Sequence, residues 1–521
     1  MNIQKSFKPL GDHNPVMVQR FGADPYALEY KGRIYIYMTL DDPEFDESGA
    51  VIENTYSKID KISVISSGDL VNWTDHGTVY AAGKNGQATW GNNSWAPAAA
   101  WKTIDGKDKF FLYFANSGNG IAVLEADSPV GPFTDPIGKA LISRDTPTCA
   151  EVTWLFDPAV LMDDDGENYI YFGGGVPSDD KAPDPGTARV AKLGKDMVSL
   201  DGDPKPIENV SYLFEDSGIN KIDGKYFYSY CSNFSMTPEA EKEKGFQQGE
   251  IVTMVSDDPM GPFEMGNPVL KNPEHFFGLG GNNHHCMFKF QGQYYITYHS
   301  RILEEKMGFL KGYRSTSIDK LVINEKGEPS KSEGTRVGVK QLRNLDPYQE
   351  TKAVTMSNAA GIATRQFGET ARKSGSGDMI VTGITEGGWI EVSGVDFGSE
   401  PARIVEINVT EAKELPAKLA ASGDTEARRK SATDEDADEY GKHSDIDAKC
   451  LLGKVNVCVD SPENNPIEAV EIRLAPATKH DYGETLIKFS CKLDEKLSGV
   501  HDLYFVFEGE GYEFYSWKFL K

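Results

Sequence analysis

The first 345 residues alternate apolar and polar positions in short runs, and the runs come in pairs joined by tight turns. Ala23-Asp24-Pro25-Tyr26 leads through Lys31-Gly32 into Arg33-Ile34-Tyr35-Ile36-Tyr37. Phe156-Asp157-Pro158-Ala159 leads through Asp164-Asp165-Gly166 into Glu167-Asn168-Tyr169-Ile170-Tyr171. Phe214-Glu215-Asp216-Ser217 leads through Asp223-Gly224 into Lys225-Tyr226-Phe227-Tyr228, and Trp95-Ala96-Pro97-Ala98 and His284-His285-Cys286-Met287-Phe288 open two more such pairs. Aromatic and aliphatic alternation bounded by Gly and Asp turns reads as strands, and no helical period competes with it. The units start at positions 24, 97, 157, 217 and 284, about 60 to 73 residues apart, which is enough for four strands each. Such a repeat predicts an all-β fold, a five-bladed β-propeller whose first strands line a central axis.

Beyond Asp346-Pro347-Tyr348 the repeat stops. New strands are expected at 388–392, 402–409, 467–474 and 503–507, short and without intervening helices, which predicts a jelly-roll-like β-sandwich over residues 346–521. The stretch from 411 to 443, rich in Lys, Glu, Asp and Ala, breaks that pattern and reads as a charged insertion, either solvated loop or short exposed helix.

Composition narrows the partners. A chain of 521 residues with 39% hydrophobic content supports two cores, and a net charge of −26 repels the phosphates of nucleic acids and anionic membranes. No run approaches the length of a membrane span, and Met1 to Leu10 lacks the apolar stretch of a leader. The six cysteines show no ligand spacing. Inert thiols in a reducing compartment, and hence a cytoplasmic location, are expected. Nothing points to a protein partner.

The chemistry lies at the mouths of the first strands. Asp24, Asp157 and Glu215 are delivered by the same local motif from three units, so they are expected to occupy equivalent positions and converge on the axis. Taken singly, each reads more readily as a turn former or a solvated side chain. Converging carboxylates split their pKa values, one staying ionised and another held protonated. Inverting glycoside hydrolysis needs that division, with a base for water and an acid for the leaving oxygen roughly 6.5 to 9.5 Å away. Asp216 is a rival to Glu215, because neighbours on an extended strand point to opposite faces and only one of the two can face the axis.

These motifs carry a resemblance. With Trp95-Ala96-Pro97, Asp163-Asp164-Asp165-Gly166, Ser128-Pro129-Val130-Gly131-Pro132-Phe133 and Asn283-His284-His285, residues 1–345 resemble glycoside hydrolase family 43, the group of five-bladed arabinofuranosidases, xylosidases and arabinanases. The resemblance implies Asp24 as general base, Glu215 as general acid and Asp157 as the residue that raises the pKa of Glu215 and orients it. It implies Arg314 against the base or the substrate, where bidentate bonding to Asp24 would keep that acid ionised. At His284 it implies a channel-facing residue that touches substrate or supports a structural calcium ion through water; no cofactor is required. Trp90 and Trp154 sit where loops open onto the site and are candidate sugar platforms or core residues. Asn92, Asn93, Asn116 and Asn233 are candidate hydroxyl readers or turn formers.

Residues 346–521 resemble a family 6 carbohydrate-binding module through Gly394-Val395-Asp396-Phe397-Gly398 and 498–507. Lys352-Ala353-Val354 and Ser516-Trp517 stand where such modules carry calcium-holding acids, so a packing role is expected there. The function implied is an inverting, exo-acting α-L-arabinofuranosidase that removes arabinose from arabinoxylan-derived oligosaccharides. A β-xylosidase, or an enzyme with both activities, on the same scaffold and a non-catalytic sugar-binding propeller are the alternatives.

Overall fold

The computed structural model describes residues 2–368, 377–412, 450–474 and 485–521; all but the start of the charged stretch at 411–443 lies outside them. Five antiparallel sheets follow one another along the first part of the chain. The first contains β1 (Ala23–Tyr30), β2 (Arg33–Thr39), β3 (Lys61–Ser67) and β4 (Trp73–Tyr80), and the second β5 (Trp95–Ile104), β6 (Lys107–Ala115) and β7 (Ile121–Ala126). The third is β8 (Ala159–Met162), β9 (Asn168–Phe172), β10 (Arg189–Leu193) and β11 (Lys205–Pro206). The fourth is β12 (Leu213–Ile222), β13 (Lys225–Ser232), β14 (Ile251–Ser256) and β15 (Glu264–Leu270), and the fifth β16 (His285–Phe290), β17 (Gln293–Ser300) and β18 (Ser315–Lys320). These are the blades of a propeller, and β1, β5, β8, β12 and β16 are its inner strands.

Not every blade has the four strands expected. After β7 only isolated bridges reach back, Thr134 to Glu125 and Ile142 to Ile121, and no fourth strand forms. Pro132 and Pro136 flank Thr134 and have no N–H to extend a ladder. In the fifth blade the missing edge is supplied from the amino-terminal side of β1. Val16 N–H donates to Thr316 O at 2.9 Å and Gly22 N–H to Arg314 O at 3.0 Å, while the Asn14 amide receives Ile318 N–H and donates to Ile318 O. The start of the first blade thereby closes the ring onto the last.

A repeated tyrosine ties each blade to the next. Tyr37, Tyr113 and Tyr171 are fully buried on the second strands of blades one to three. Their hydroxyls donate to Pro129 O at 2.6 Å, to Met197 O at 2.7 Å and to Pro259 O, each carbonyl lying in the turn after the third strand of the following blade. The aromatic at this place in the sequence repeat fills the core between blades and its hydroxyl satisfies a buried carbonyl.

The carboxy-terminal part is a sandwich. One sheet orders Ala363–Gln366, Met379–Thr382, Tyr512–Leu520, Ala402–Glu411 and Ile487–Leu497, with Thr351–Lys352 on Tyr512–Leu520. The other orders Asn358–Ala360, Trp389–Asp396, Val500–Gly509, Cys450–Val459 and Glu468–Leu474. Between them pack Val392, Val405, Ile407, Phe505, Phe514 and Trp517, and the same cluster takes in Val18, Phe21 and Tyr313 of the propeller. Thr355–Met356 pairs with β4, so the chain entering the sandwich forms a fifth strand of the first blade. Lys352 Nζ lies 3.1 Å from Asp378, an ion pair beside Tyr515. The five cysteines whose side chains are described are free thiols.

Candidate active site

The inner strands share a defect that builds the site. In the first blade Ala23 pairs with Thr39 and Tyr26 with Tyr37, so one extra residue is squeezed in; Trp95↔Ala115 followed by Ala98↔Tyr113 repeats this in the second, and Glu215↔Cys231 followed by Gly218↔Ser229 in the fourth. Such bulges bend the strand and re-aim a side chain. The residue after each bulge start, Asp24, Ala96 and Asp216, has a positive φ of 47°, 42° and 72°, and Asp157 in the third blade has 49°. Asp24, Asp157 and Asp216 are therefore the equivalent positions, with Ala96 filling the slot of the second blade. Glu215 stands one residue earlier, level with Ala23 and Trp95. The expected equivalence of Asp24, Asp157 and Glu215 is corrected accordingly. So is the expectation that only one of Glu215 and Asp216 can face the centre, because the bulge breaks the alternation of an extended strand and both belong to the central cluster.

The three ring carboxylates meet at His284, just before β16. Its Nδ1 lies 3.6 Å from Asp24 Oδ1 and 3.8 Å from Asp157 Oδ2, and its Nε2 lies 3.1 Å from Asp216 Oδ1. Asp24 also receives Arg314 Nη1–H at 2.8 Å and has His299 Nδ1 at 3.1 Å. His299 Nε2 donates to Asn282 O at 3.0 Å, and the Asp24 N–H donates to its Nδ1. Arg314 touches Asp24 through a single bond. Its fork instead grips Asp41, with Nε–H to Oδ2 at 2.9 Å and Nη2–H to Oδ1 at 3.0 Å, which corrects the bidentate pairing expected with Asp24. The Tyr56 ring covers the guanidinium at 4.9 Å. A cleft opens beside these groups, lined by Tyr56, Asn282, His299, Arg301 and Arg314.

Electrostatics divides the acids. Burial alone would raise Asp24, but Arg314, His284 and His299 outweigh it and hold the carboxyl below its ordinary value. Glu215 is pushed up to about 8 by burial and by the charge of Asp24, against a hydrogen bond with Asn282. Asp157 is raised by burial and by Glu215 and Asp24, opposed by the Asp216 N–H that donates to its Oδ2 at 2.8 Å. Glu215 Oε1 has no hydrogen-bond partner within the protein. A buried, unpaired carboxyl oxygen beside a cleft is a group held ready for a ligand.

Other expected residues fall in different places. Trp154 packs edge-on against Phe156 and Phe214 at 5.2 and 5.4 Å, and Phe214 against Phe234 at 5.4 Å, a wall of rings running outward from Glu215. Phe234 is 45% exposed. Trp90 is not part of it: its indole N–H donates to Asp135 and its ring packs on the core of the first two blades, because its loop folds back over β4. Asn93, Asn116 and Asn233 satisfy turns, and Asn92 joins them through its backbone N–H alone. The Asn116 side chain accepts from the N–H groups of Asn92 and Asn93, Asn93 donates to Ser57 O and Ile59 O, and Asn233 donates to Ala182 O. Among the described residues no group of three or more His, Cys, Asp or Glu side chains is arranged to hold a metal ion. The ring nitrogens of His284 face the carboxylates of Asp24, Asp157 and Asp216.

Residues 13–329 match the model of the glycosyl hydrolases family 43. The chain belongs to this family. Residues 352–424 match the carbohydrate binding module of family 6. The hydrolase is 49% identical over 425 residues to an arabinoxylan arabinofuranohydrolase of Paenibacillus polymyxa, covering 78% of this chain and 66% of that one. It is 42% identical to an arabinoxylan arabinofuranohydrolase of Bacillus subtilis (strain 168), over 98% of this chain and 93% of the relative. A crystal structure of a family 43 arabinoxylan arabinofuranohydrolase from Bacillus subtilis, in complex with cellotetraose, superposes with a TM-score of 0.86 at 40% identity over 99% of both chains.

Sequence reasoning missed five residues of this hydrolase's centre. Asp41 looked like a turn acid in Leu40-Asp41-Asp42-Pro43, and Asn282 like a loop residue among glycines. His299 was legible, since a histidine between Tyr298 and Ser300 in a buried strand asks for a partner. Phe214 and Phe234 were hidden because their contact joins the start of β12 to the turn after β13.

Proposed function

We propose that this protein is an inverting, exo-acting α-L-arabinofuranosidase that removes arabinose side chains from arabinoxylan-derived oligosaccharides. The observation that carries the chemistry is the opposite state of two carboxyls in one centre, Asp24 held ionised by Arg314 and Glu215 held protonated by burial. The name shared by relatives at 49% and 42% identity supports arabinose over xylose.

In the proposed step, Asp24 takes a proton from water as its oxygen bonds to the anomeric carbon. Glu215 gives its proton to the glycosidic oxygen as the bond between that oxygen and the anomeric carbon breaks. The new C–O bond forms on the face opposite the one broken, so configuration inverts. Asp24 ends protonated and Glu215 ionised, and exchange with solvent resets both. Asp157, its own pKa raised by burial and by the charges of Glu215 and Asp24, resists a second negative charge beside the acid, so the two carboxyls together retain a proton, and the Asp216 N–H on its Oδ2 fixes its orientation. The wall of Trp154, Phe214 and Phe234 on the Glu215 side is placed to stack the sugars of the leaving chain.

Arabinose should be released from arabinoxylo-oligosaccharides, with the first-formed anomer inverted in an NMR time course. Asp24→Asn and Glu215→Gln should each lower kcat by about 10²- to 10⁴-fold, the contribution of a positioned acid or base. Release of xylose alone would replace arabinose with xylose as the substrate, and an initially retained anomer would exclude this mechanism.

A further inference from the structure

Tyr56, on the loop between β2 and β3, has a φ of 57°. That left-handed conformation is disfavoured for a bulky side chain, and Gly or Asn would adopt it at less cost. The loop is tied down around it. The Tyr56 N–H donates to Asn54 Oδ1 at 3.0 Å, and its carbonyl accepts the Trp95 indole N–H at 3.0 Å. The Asn54 N–H donates to Lys311 O at 2.8 Å and the Asn93 side chain to Ser57 O at 2.9 Å. The hydroxyl of the buried Tyr313 accepts the Glu44 N–H and donates to Ile52 O. A strained residue held this firmly points to a use for its side chain.

Core packing does not supply that use. Among the described residues, the apolar clusters around the first blade do not take in Tyr56, and it is 37% exposed. Its ring lies over the Arg314 guanidinium at 4.9 Å and lines the cleft with Asn282, His299 and Arg301. Arg314 bonds Asp24 at 2.8 Å, so Tyr56 stands on the side of the base. The wall of Trp154, Phe214 and Phe234 stands on the side of Glu215, and the centre lies between two aromatic surfaces.

In the proposed step the leaving chain departs on the Glu215 side, so the arabinosyl ring it leaves behind lies toward Asp24. A tyrosine there offers a flat apolar face to the C–H face of a sugar and a polar edge to water or a sugar hydroxyl. We propose that Tyr56 is a substrate-binding residue of this hydrolase, a platform between the first and fifth blades against which the arabinosyl ring packs. This rests on the reading of Asp24 and Glu215 as base and acid, which the parent's own release of arabinose tests separately.

The test uses Tyr56→Asn, which removes the ring and suits the backbone, beside Tyr56→Phe, which removes only the hydroxyl. The probe is 1,4-anhydro-L-arabinitol, a furanose ring with no group to expel, measured as a competitive inhibitor. Tyr56→Asn should raise its inhibition constant, and KM for an aryl arabinofuranoside, about 3- to 10-fold each with kcat within about 3-fold, the scale of one aromatic contact. Tyr56→Phe should leave both constants within about 2-fold of the parent, since the ring is kept. Because Asn accepts the left-handed conformation, the Tm of Tyr56→Asn should equal or exceed that of the parent. An unchanged inhibition constant with a fallen kcat would make the ring only a cover for Arg314 and overturn the proposal. A Tm clearly below the parent's would make Tyr56 a packing residue and overturn it as well. A loss in Tyr56→Phe as large as that in Tyr56→Asn would assign the effect to the hydroxyl and sink the platform.

Discussion

Glu215 shows how a single residue trades stability for readiness. It is buried with one oxygen unpartnered, and its pKa is raised from 4.5 to about 8. Between those values the folded protein holds a proton that the unfolded chain releases, so this group's favourable contribution is complete below about pH 4.5 and is lost as pH rises to about 8. Glu215→Gln should therefore be more thermostable than the parent at pH 8 and much less different at pH 4.5, the gap in Tm widening as pH rises. A gap that is constant across this range would contradict a protonated Glu215. The rate of the parent should fall on the alkaline side near pH 8, where the acid is lost, and Asp24, held low by Arg314, should set no limb near neutrality.

Much of this was legible in the sequence, for a reason visible at Asp24 and Asp157. Each precedes a proline, Asp24-Pro25 and Asp157-Pro158, and that dipeptide marks the positive-φ residue that turns the acid inward. In the fourth blade Ser217 replaces the proline, so the mark is missing and the register slips by one residue when motifs are matched by eye. The pairing of Glu215 with Cys231 and Gly218 with Ser229 restores it. Contacts between blades, such as Arg314 with Asp41 or Trp154 with Phe214, leave no trace in any local pattern, because their partners are set by ring closure.

At the scale of elements, the catalytic strands are held by what their neighbours leave out. Gly174, just after β9, lies so close to β12 that a Cβ would sit 2.5 Å from Phe214 O, 2.8 Å from the Phe156 ring and 3.3 Å from Glu215 Cα. Two of these are backbone atoms, which cannot swing aside like a side-chain tip. Gly174→Ala should push the start of β12 and lower kcat by roughly 10-fold or more while the blade core stays folded, since displacement of a reacting group by about 1 Å costs on that order. Full activity in this variant, with an unchanged circular dichroism spectrum, would mean that Glu215 tolerates movement of its strand. The buried tyrosines Tyr37, Tyr113 and Tyr171 do the complementary job, filling space between blades and bonding the next turn.

At the scale of the whole molecule, propeller and sandwich share one interior. Val18, Phe21 and Tyr313 pack in the same cluster as Val392, Phe505 and Trp517. The fully buried Lys8 donates to Pro15 O at 2.8 Å and Ser357 O at 2.6 Å, one carbonyl on each side. Arg20 and Thr364 meet on Asp75. Calorimetry should show a single cooperative unfolding transition for the full chain, because Val18, Phe21 and Tyr313 of the propeller lose their burial if the sandwich melts first. Two well-separated endotherms would show that the parts melt independently.

The strand Thr355–Met356 on the edge of β4 has a bearing on how this architecture is inherited and engineered. A module joined by a plain tether is exchanged by cutting the tether. Here a cut between the two parts strips the outer strand from the first blade, and one placed later leaves a foreign sandwich facing Val18 and Phe21. Recombination that swaps the carboxy-terminal module must carry Thr355–Met356 with the propeller, or bring in a replacement edge that fits Thr74 and Trp73. Chimeras spliced inside that stretch will fail as folds before they fail as enzymes.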